Sequence, residues 1–165
     1  MYQNEGQEVF NIAPAEYMQI FEDTCRQKRL RVTPQRLEIY RELARSLDHP
    51  TAEMLYQRLK DKMPSLSLDT VYRTLATLVS HNLVHRVESA QNQARFEVQH
   101  IHHHHVVCRE CGRISDFKWN LVDQTSLQRE LDTWGRVERA HMVVYGICRE
   151  CLETRKTQPD TRTYN

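Results

Sequence analysis

Apolar residues recur at helical spacing through the first half of the chain and then give way to short alternating runs. From Pro14 onward, Tyr17, Ile20, Phe21 and Cys25 fall on one stripe, which predicts a helix over about residues 14–28 with proline in its first turn. Thr33 before Pro34 reads as a cap ahead of a first-turn proline, and Leu37, Ile39, Tyr40, Leu43 and Leu47 carry a second helix onward. Pro50 and Thr51 open a third, AEMLYQRLKDKM, with Met54, Leu55 and Leu59 facing inward and Pro64 ending it. Ser67 caps a fourth, from Leu68 to about His81. Its apolar stripe is Leu68, Val71, Leu75 and Leu78, and Asp69, Tyr72, Arg73 and Thr77 lie largely on the opposite face.

Two β-prone runs follow, VHRVE and ARFEV, separated by the polar SAQNQ, and they read as a hairpin. Helices followed by such a hairpin make a winged helix-turn-helix. The composition changes at the histidine run from His100. Beyond it the pattern predicts strands near 102–108, 112–118 and 137–147, a helix near 120–133 and a short helix after Cys148. The fold class is therefore α+β. A winged helix over 14–99 is joined to a second α/β domain over 100–156, between polar tails at 1–13 and 157–165.

Composition narrows the classes. Two small domains in 165 residues leave each short of apolar burial, so a metal staple would help the weaker one. Only 39% of the residues are hydrophobic, and no apolar run approaches the roughly 18 residues that span a bilayer. The start, MYQNEGQEVFNIAP, does not read as a secretory signal, so the expected compartment is the cytoplasm. A net charge of +1 does not by itself point to nucleic acid.

In a reducing compartment five cysteines argue for metal ahead of disulfides, above all when four stand in tight pairs. Cys108 and Cys111 form one C-x-x-C pair, and Cys148 and Cys151 another; both tetrapeptides read CREC. Each pair turns two sulfurs toward one point, and together they supply a closed tetrahedral thiolate set that suits structural Zn(II). Local disulfides, a redox pair or iron–sulfur ligation are the alternatives. Cys25, alone on a helix, reads as a small core residue.

His102, His103, His104 and His105 directly precede Cys108 on a predicted strand, where neighbours point to opposite faces. His103 and His105 share one face, His102 and His104 the other, and each face needs further ligands. Glu97 on the wing, Asp116 after the first knuckle and His49 before the third helix are candidates. Such nitrogen and oxygen donors suit Fe(II), Mn(II) or Zn(II). The competing reading is a solvated histidine tract with incidental metal affinity.

Together these pieces resemble the ferric uptake regulator family of bacterial metal-responsive repressors. The resemblance rests on RVTPQR, DHPTAEMLYQRL, SLDTVYRTLATLVSHNLV, RFEV, HHHHVVCRECGRISDF and VVYGICREC, from about Leu30 to Cys151. It implies that the second domain dimerises and that the four cysteines hold structural zinc. It also implies a regulatory metal on His49, Glu97, His103, His105 and Asp116. A further site in many relatives would take His102, His104, Asp123 and His141, the last standing seven residues before Cys148 where relatives commonly have eight. Asp116 looks like the peroxide-sensing branch, in which Fe(II) is open to peroxide and ligand histidines, here His49 and His103, are oxidised. Glu97 and the Tyr72, Arg73 pair look like the iron branch, and zinc uptake regulators share the scaffold.

A dimer of this kind would set two reading helices in successive major grooves of a palindromic DNA operator. Tyr72 and Arg73 are the exposed candidates for base contacts, Arg73 because its fork matches guanine O6 and N7. Arg31, within a basic cluster that otherwise reads as a solvated face, can reach the minor groove or phosphates, and Ser67 can hold a phosphate as well as cap. A zinc-dependent hydrolase is the reading from a different class. It lacks an H-E-x-x-H type base here, so no enzymatic activity is expected.

Overall fold

Three hydroxyl side chains begin three helices by accepting backbone N–H groups that the helix itself leaves unpaired. Thr33 accepts from Arg36, Thr51 from Met54 and Ser67 from Thr70, at 3.2, 3.3 and 3.1 Å. The computed structural model describes residues 14–87, 89, 93–98, 102–119, 131, 133–136 and 140–157. The helices are α1 (Pro14–Gln27), α2 (Pro34–Arg45), α3 (Ala52–Leu59) and α4 (Leu68–Ser80). They are followed by strands β1 (His85–Val87) and β2 (Arg95–Glu97), then β3 (His104–Cys108), β4 (Ile114–Phe117), β5 (Val143–Gly146) and helix α5 (Arg149–Thr157).

Two helices stop sooner than their apolar periodicity predicts. The backbone turns extended at Ser46, which caps α2, so Leu47 is 74% exposed instead of facing the core. The third helix, expected to run through Met63, ends at Leu59. Lys62 and Met63 both return N–H bonds to the Leu59 carbonyl, a turn in keeping with Pro64, which disfavours helical backbone at the residue before it. After α1 and α4 the stop is a left-handed residue, Arg29 (φ 53°) and Asn82 (φ 57°), and Leu30 and Leu83 reach back to the Cys25 and Leu78 carbonyls.

The chain divides into two compact units, Met1–Glu88 with Asn92–His102, and Ser89–Gln91 with His103–Asn165. The first unit packs one apolar core from all four helices and the wing. Phe21, Ile39, Tyr40, Leu55, Val71, Leu75 and Leu78 are fully buried there, and the Phe21 and Tyr40 rings lie 4.5 Å apart. Phe21→Ala is expected to lower the unfolding free energy by about 3–5 kcal/mol, read as an earlier urea midpoint in far-ultraviolet dichroism. The wing is the antiparallel pair β1 and β2, with His85 opposite Glu97.

In the second unit the sheet order is β4-β3-β5, with β3 antiparallel to β4 and parallel to β5. Strand β3 begins at His104, two residues later than the alternation predicts, and the strand expected over 137–147 is confined to Val143–Gly146 among the described residues. The helix expected near 120–133 lies almost wholly outside the described residues. Among those that are described, the fully or nearly buried apolar side chains of this unit are Val107, Cys108 and Ile114. Among the described residues a metal staple would therefore add much to a modest apolar cluster. No helix among the described residues is long and apolar enough to cross a membrane.

Candidate metal centres and nucleic-acid interface

Strand pairing assembles the cysteines. Cys108 closes β3 opposite Gly146 of β5, and the Arg109 N–H donates to the Gly146 carbonyl at 2.8 Å, so the two C-x-x-C turns lie side by side. The first turn closes through the Gly112 N–H to the Cys108 carbonyl, with Gly112 at φ 70°, a conformation glycine adopts without strain. Cys108 Sγ stands 3.9 Å from Cys151 Sγ, and Cys111 Sγ 3.7 Å from Cys148 Sγ. Four sulfurs about 2.3 Å from one tetrahedral zinc would stand about 3.8 Å apart, whereas a disulfide needs about 2.05 Å. All five cysteines are free thiols, and the four sulfurs lie within 4.8 Å of one another. The set fits structural zinc and not disulfides.

Hydrogen bonding within the cluster itself favours one thiolate, at Cys108, and pushes the Cys151 thiol up to about 12. Burial pushes the Cys108 thiol up, but bonds from the backbone N–H groups of Cys111 and Cys148 and from their thiols outweigh it and bring it to about 6. The repeated CREC tetrapeptide carries a second feature that spacing did not disclose. Glu150 of the second knuckle pairs with Arg113, just beyond the first, at 2.6 Å, and Glu110 of the first pairs with Arg155 of α5. The knuckles are thus cross-braced by reciprocal ion pairs.

The second unit also holds a convergent nitrogen and oxygen set. His105 is directly opposite Asp116 in the β3 and β4 register, and His103, two residues before it, points the same way. His103 Nε2 lies 3.1 Å from His105 Nε2, and Asp116 Oδ1 lies 3.6 and 3.5 Å from these two nitrogens. Ligands about 2.1 Å from a shared ion stand about 3.0 Å apart at a right angle and about 3.4 Å apart at a tetrahedral one. Both histidines are buried. The spacing and donor types fit a borderline divalent cation.

In the first unit His49 Nε2 lies 3.3 Å from Glu97 Oε2, both side chains nearly fully buried. His49 has φ 48°, a left-handed conformation that costs a non-glycine residue about 1–2 kcal/mol. Surrounding bonds hold it there. Arg95 Nη1 donates to the His49 carbonyl at 3.2 Å, the Phe96 N–H to the Pro50 carbonyl at 3.1 Å, and Arg58 grips Asp48 and Ser46. Arg95 was not among the residues singled out from sequence, although it shares the β2 face of Glu97 two positions away.

The additional set fares differently. His104 is fully buried, its ring tilted at 50° to the Phe117 ring with centroids 5.5 Å apart, and its Nδ1 accepts the Met142 N–H at 3.1 Å. His102 and His141 are exposed and precede strands β3 and β5, and Asp123 lies outside the described residues. Among the described residues no group of three ligand atoms includes His102, His104 or His141.

On α4, Tyr72 and Arg73 are exposed, as expected for a reading face, while Thr77 is half-buried with its hydroxyl on the Arg73 carbonyl. Both side chains are held by carboxylates. Arg73 Nε lies 2.9 Å from Asp69, one turn earlier, and the Tyr72 hydroxyl donates to Glu53 on α3, 19 residues away. Ser67 is exposed and engaged as the α4 cap, its Oγ also 2.8 Å from Thr70 Oγ1. Arg31 is exposed ahead of α2, its carbonyl accepting from Arg36.

A winged helix-turn-helix joined to a zinc-fitting thiolate unit defines a metal-containing DNA-binding regulator. The chain is 34% identical over 130 residues to the peroxide-responsive repressor PerR of Staphylococcus epidermidis, covering 79% of this chain and 87% of that one. In fold it is similar to the ferric uptake regulator of Helicobacter pylori, described as having three functional metal binding sites, with a TM-score of 0.71 at 22% identity over 86% and 95% of the two chains. A zinc uptake regulator complexed with zinc and DNA matches with a TM-score of 0.61 at 25% identity, over 88% and 99%. Residues 27–145 match the ferric uptake regulator family, and the chain belongs to it. It is a metal-responsive transcriptional repressor, in which the four cysteines fit structural zinc and the histidine and carboxylate donors fit a regulatory metal.

Proposed function

We propose that this protein represses transcription as a homodimer on a palindromic operator, and that His49, Glu97, His103, His105 and Asp116 together hold the regulatory ion. The observation that carries this reading is the convergence of His103, His105 and Asp116 on one buried point. Three donors alone leave a divalent ion of this class short of ligands, and the buried His49 and Glu97 pair of the first unit supplies two more of the right type. Donors drawn from both units would make ligation depend on how the units are arranged, so that ion binding favours the arrangement that fits the operator.

Within this reading Tyr72 and Arg73 contact base edges, while Arg31 and the Ser67 end of α4 meet the backbone. Arg73→Ala is expected to lower operator affinity by about 1–3 kcal/mol and to relax preference at one base pair per half-site. Fluorescence anisotropy on matched and single-substituted operators checks it. A uniform loss on every sequence would assign Arg73 to phosphate instead.

The signal we favour is peroxide. Support comes from Asp116 and from the 34% identity to a peroxide-responsive repressor. Bound Fe(II) would supply the electron that cleaves peroxide, and the imidazoles of His49 and His103 are the ligands exposed to the oxidant so formed. Loss of either nitrogen to oxidation empties the site and releases the operator. Low peroxide followed by peptide mass spectrometry tests this. Oxygen added to His49 or His103 in the iron form and not in the manganese form is expected, whereas an unmodified iron form that stays on DNA would leave an iron or zinc uptake regulator as the better account.

A further inference from the structure

The Tyr72 hydroxyl gives its single proton to Glu53. Tyr72 projects from the second turn of α4, on a helix whose N-terminal residues enter the major groove in helix-turn-helix proteins, and 44% of it is exposed. Glu53 sits in the first turn of α3, where the Thr51 hydroxyl and its own backbone N–H also hold its carboxylate. The contact holds the Glu53 carboxyl below the usual carboxylate range and pushes the Tyr72 phenol up, so each group keeps the protonation state that the bond requires.

The two readers on this face differ in what such a contact costs them. Arg73 carries five donors, so pairing with Asp69 leaves others for a base. A tyrosine has one proton, and once that proton is committed its oxygen can only accept. In the major groove the groups that donate are adenine N6 and cytosine N4, whereas guanine and thymine present only acceptors at the corresponding atoms.

Resting on the repressor reading above, we propose that Glu53 is a specificity-determining residue: it fixes Tyr72 as an acceptor, so the reading helix selects adenine or cytosine at the base that Tyr72 meets. The carboxylate has a second effect through its charge. Beside the reading face it repels phosphate, which penalises loosely docked, sequence-independent complexes and leaves a complex that supplies a base donor to Tyr72 favoured over the rest. Glu53 itself need not touch DNA.

The test is selection from a random-sequence duplex pool by the full-length, zinc-containing protein supplied with Mn(II). Wild type, Glu53→Gln, Tyr72→Phe and the double variant are compared. Glutamine is nearly the same size as glutamate, but its amide can donate or accept and so no longer fixes the proton. Wild type is expected to yield half-sites with one position at which adenine or cytosine exceeds the other bases by roughly two- to tenfold, the worth of one hydrogen bond. Glu53→Gln is expected to level that position alone and to raise affinity for random DNA at low salt. In the Tyr72→Phe background the same substitution is expected to leave base preference unchanged while still raising affinity for random DNA.

A Glu53→Gln selection as sharp as wild type at every position would overturn the proposal, and so would equal loss of sharpness with and without the Tyr72 hydroxyl. If wild type itself enriches no site in the presence of metal, the repressor reading fails and this inference with it. Both residues lie on the surface, and far-ultraviolet dichroism of each variant should match wild type.

Discussion

Cys108→Ser is expected to strip the zinc and unfold the second unit. Binding at a structural thiolate site contributes about 10–16 kcal/mol of folding free energy in small zinc domains, far more than an ordinary side-chain contact. The described part of this unit has little else to draw on, with Val107 and Ile114 as its other nearly buried apolar side chains. Serine removes one of four ligands and leaves three thiolates facing one another around a poorly held ion. The first unit, with its own core of Phe21, Tyr40, Leu55 and Leu75, is expected to keep its helical signal. Metal analysis should fall from about one firmly held zinc per chain to none, while near-ultraviolet dichroism of Trp119 and Trp134 collapses. Cys148→Ser should behave alike. Retained zinc and an unchanged melting temperature would contradict the assignment.

The second large effect belongs to His105→Ala. His105 is buried and within 3.1 and 3.5 Å of the His103 and Asp116 ligand atoms. Outer partners of metal ligands already cost roughly 10- to 100-fold in affinity when removed, so if His105 is the direct ligand proposed above, its loss should exceed that range. Structural zinc should be untouched, because the four sulfurs form a separate cluster. The expected result is a folded, zinc-containing protein whose operator binding no longer responds to Mn(II) or Fe(II). Tight, metal-responsive DNA binding by this variant would remove His105 from the site. Asp116→Glu serves a different purpose. It keeps a carboxylate at the position and asks whether aspartate sets peroxide sensitivity; unchanged sensitivity in an iron form that does oxidise would show that Asp116 was the wrong residue.

What the sequence disclosed follows the reach of its signals. Helix starts were legible because Thr33, Thr51 and Ser67 act on backbone groups three residues away. Helix ends were not, and Leu47 shows why: it continues the α2 stripe, yet the backbone has already turned at Ser46. The cysteines were legible through a repeated tetrapeptide. Strand alternation placed His103 with His105, and the antiparallel register then set Asp116 opposite. The long-range contacts around these residues were hidden. Glu53 meets Tyr72 across 19 residues and Arg95 meets the His49 carbonyl across 46, and no local pattern announces either. The left-handed backbone at His49, immediately before a proline, runs against local preference and exists only because its neighbours hold it.

DNA binding by this protein is expected to require a second metal distinct from the structural zinc. The direct test is anisotropy titration of zinc-containing protein onto an operator taken from the random-pool selection, with and without Mn(II), for wild type and His105→Ala. Wild type is expected to bind tightly only with Mn(II), by a margin of at least about tenfold, equivalent to about 1.4 kcal/mol of coupling, and His105→Ala to bind weakly in both conditions. Equal binding of wild type with Mn(II) and without it, at constant zinc content, would contradict the account.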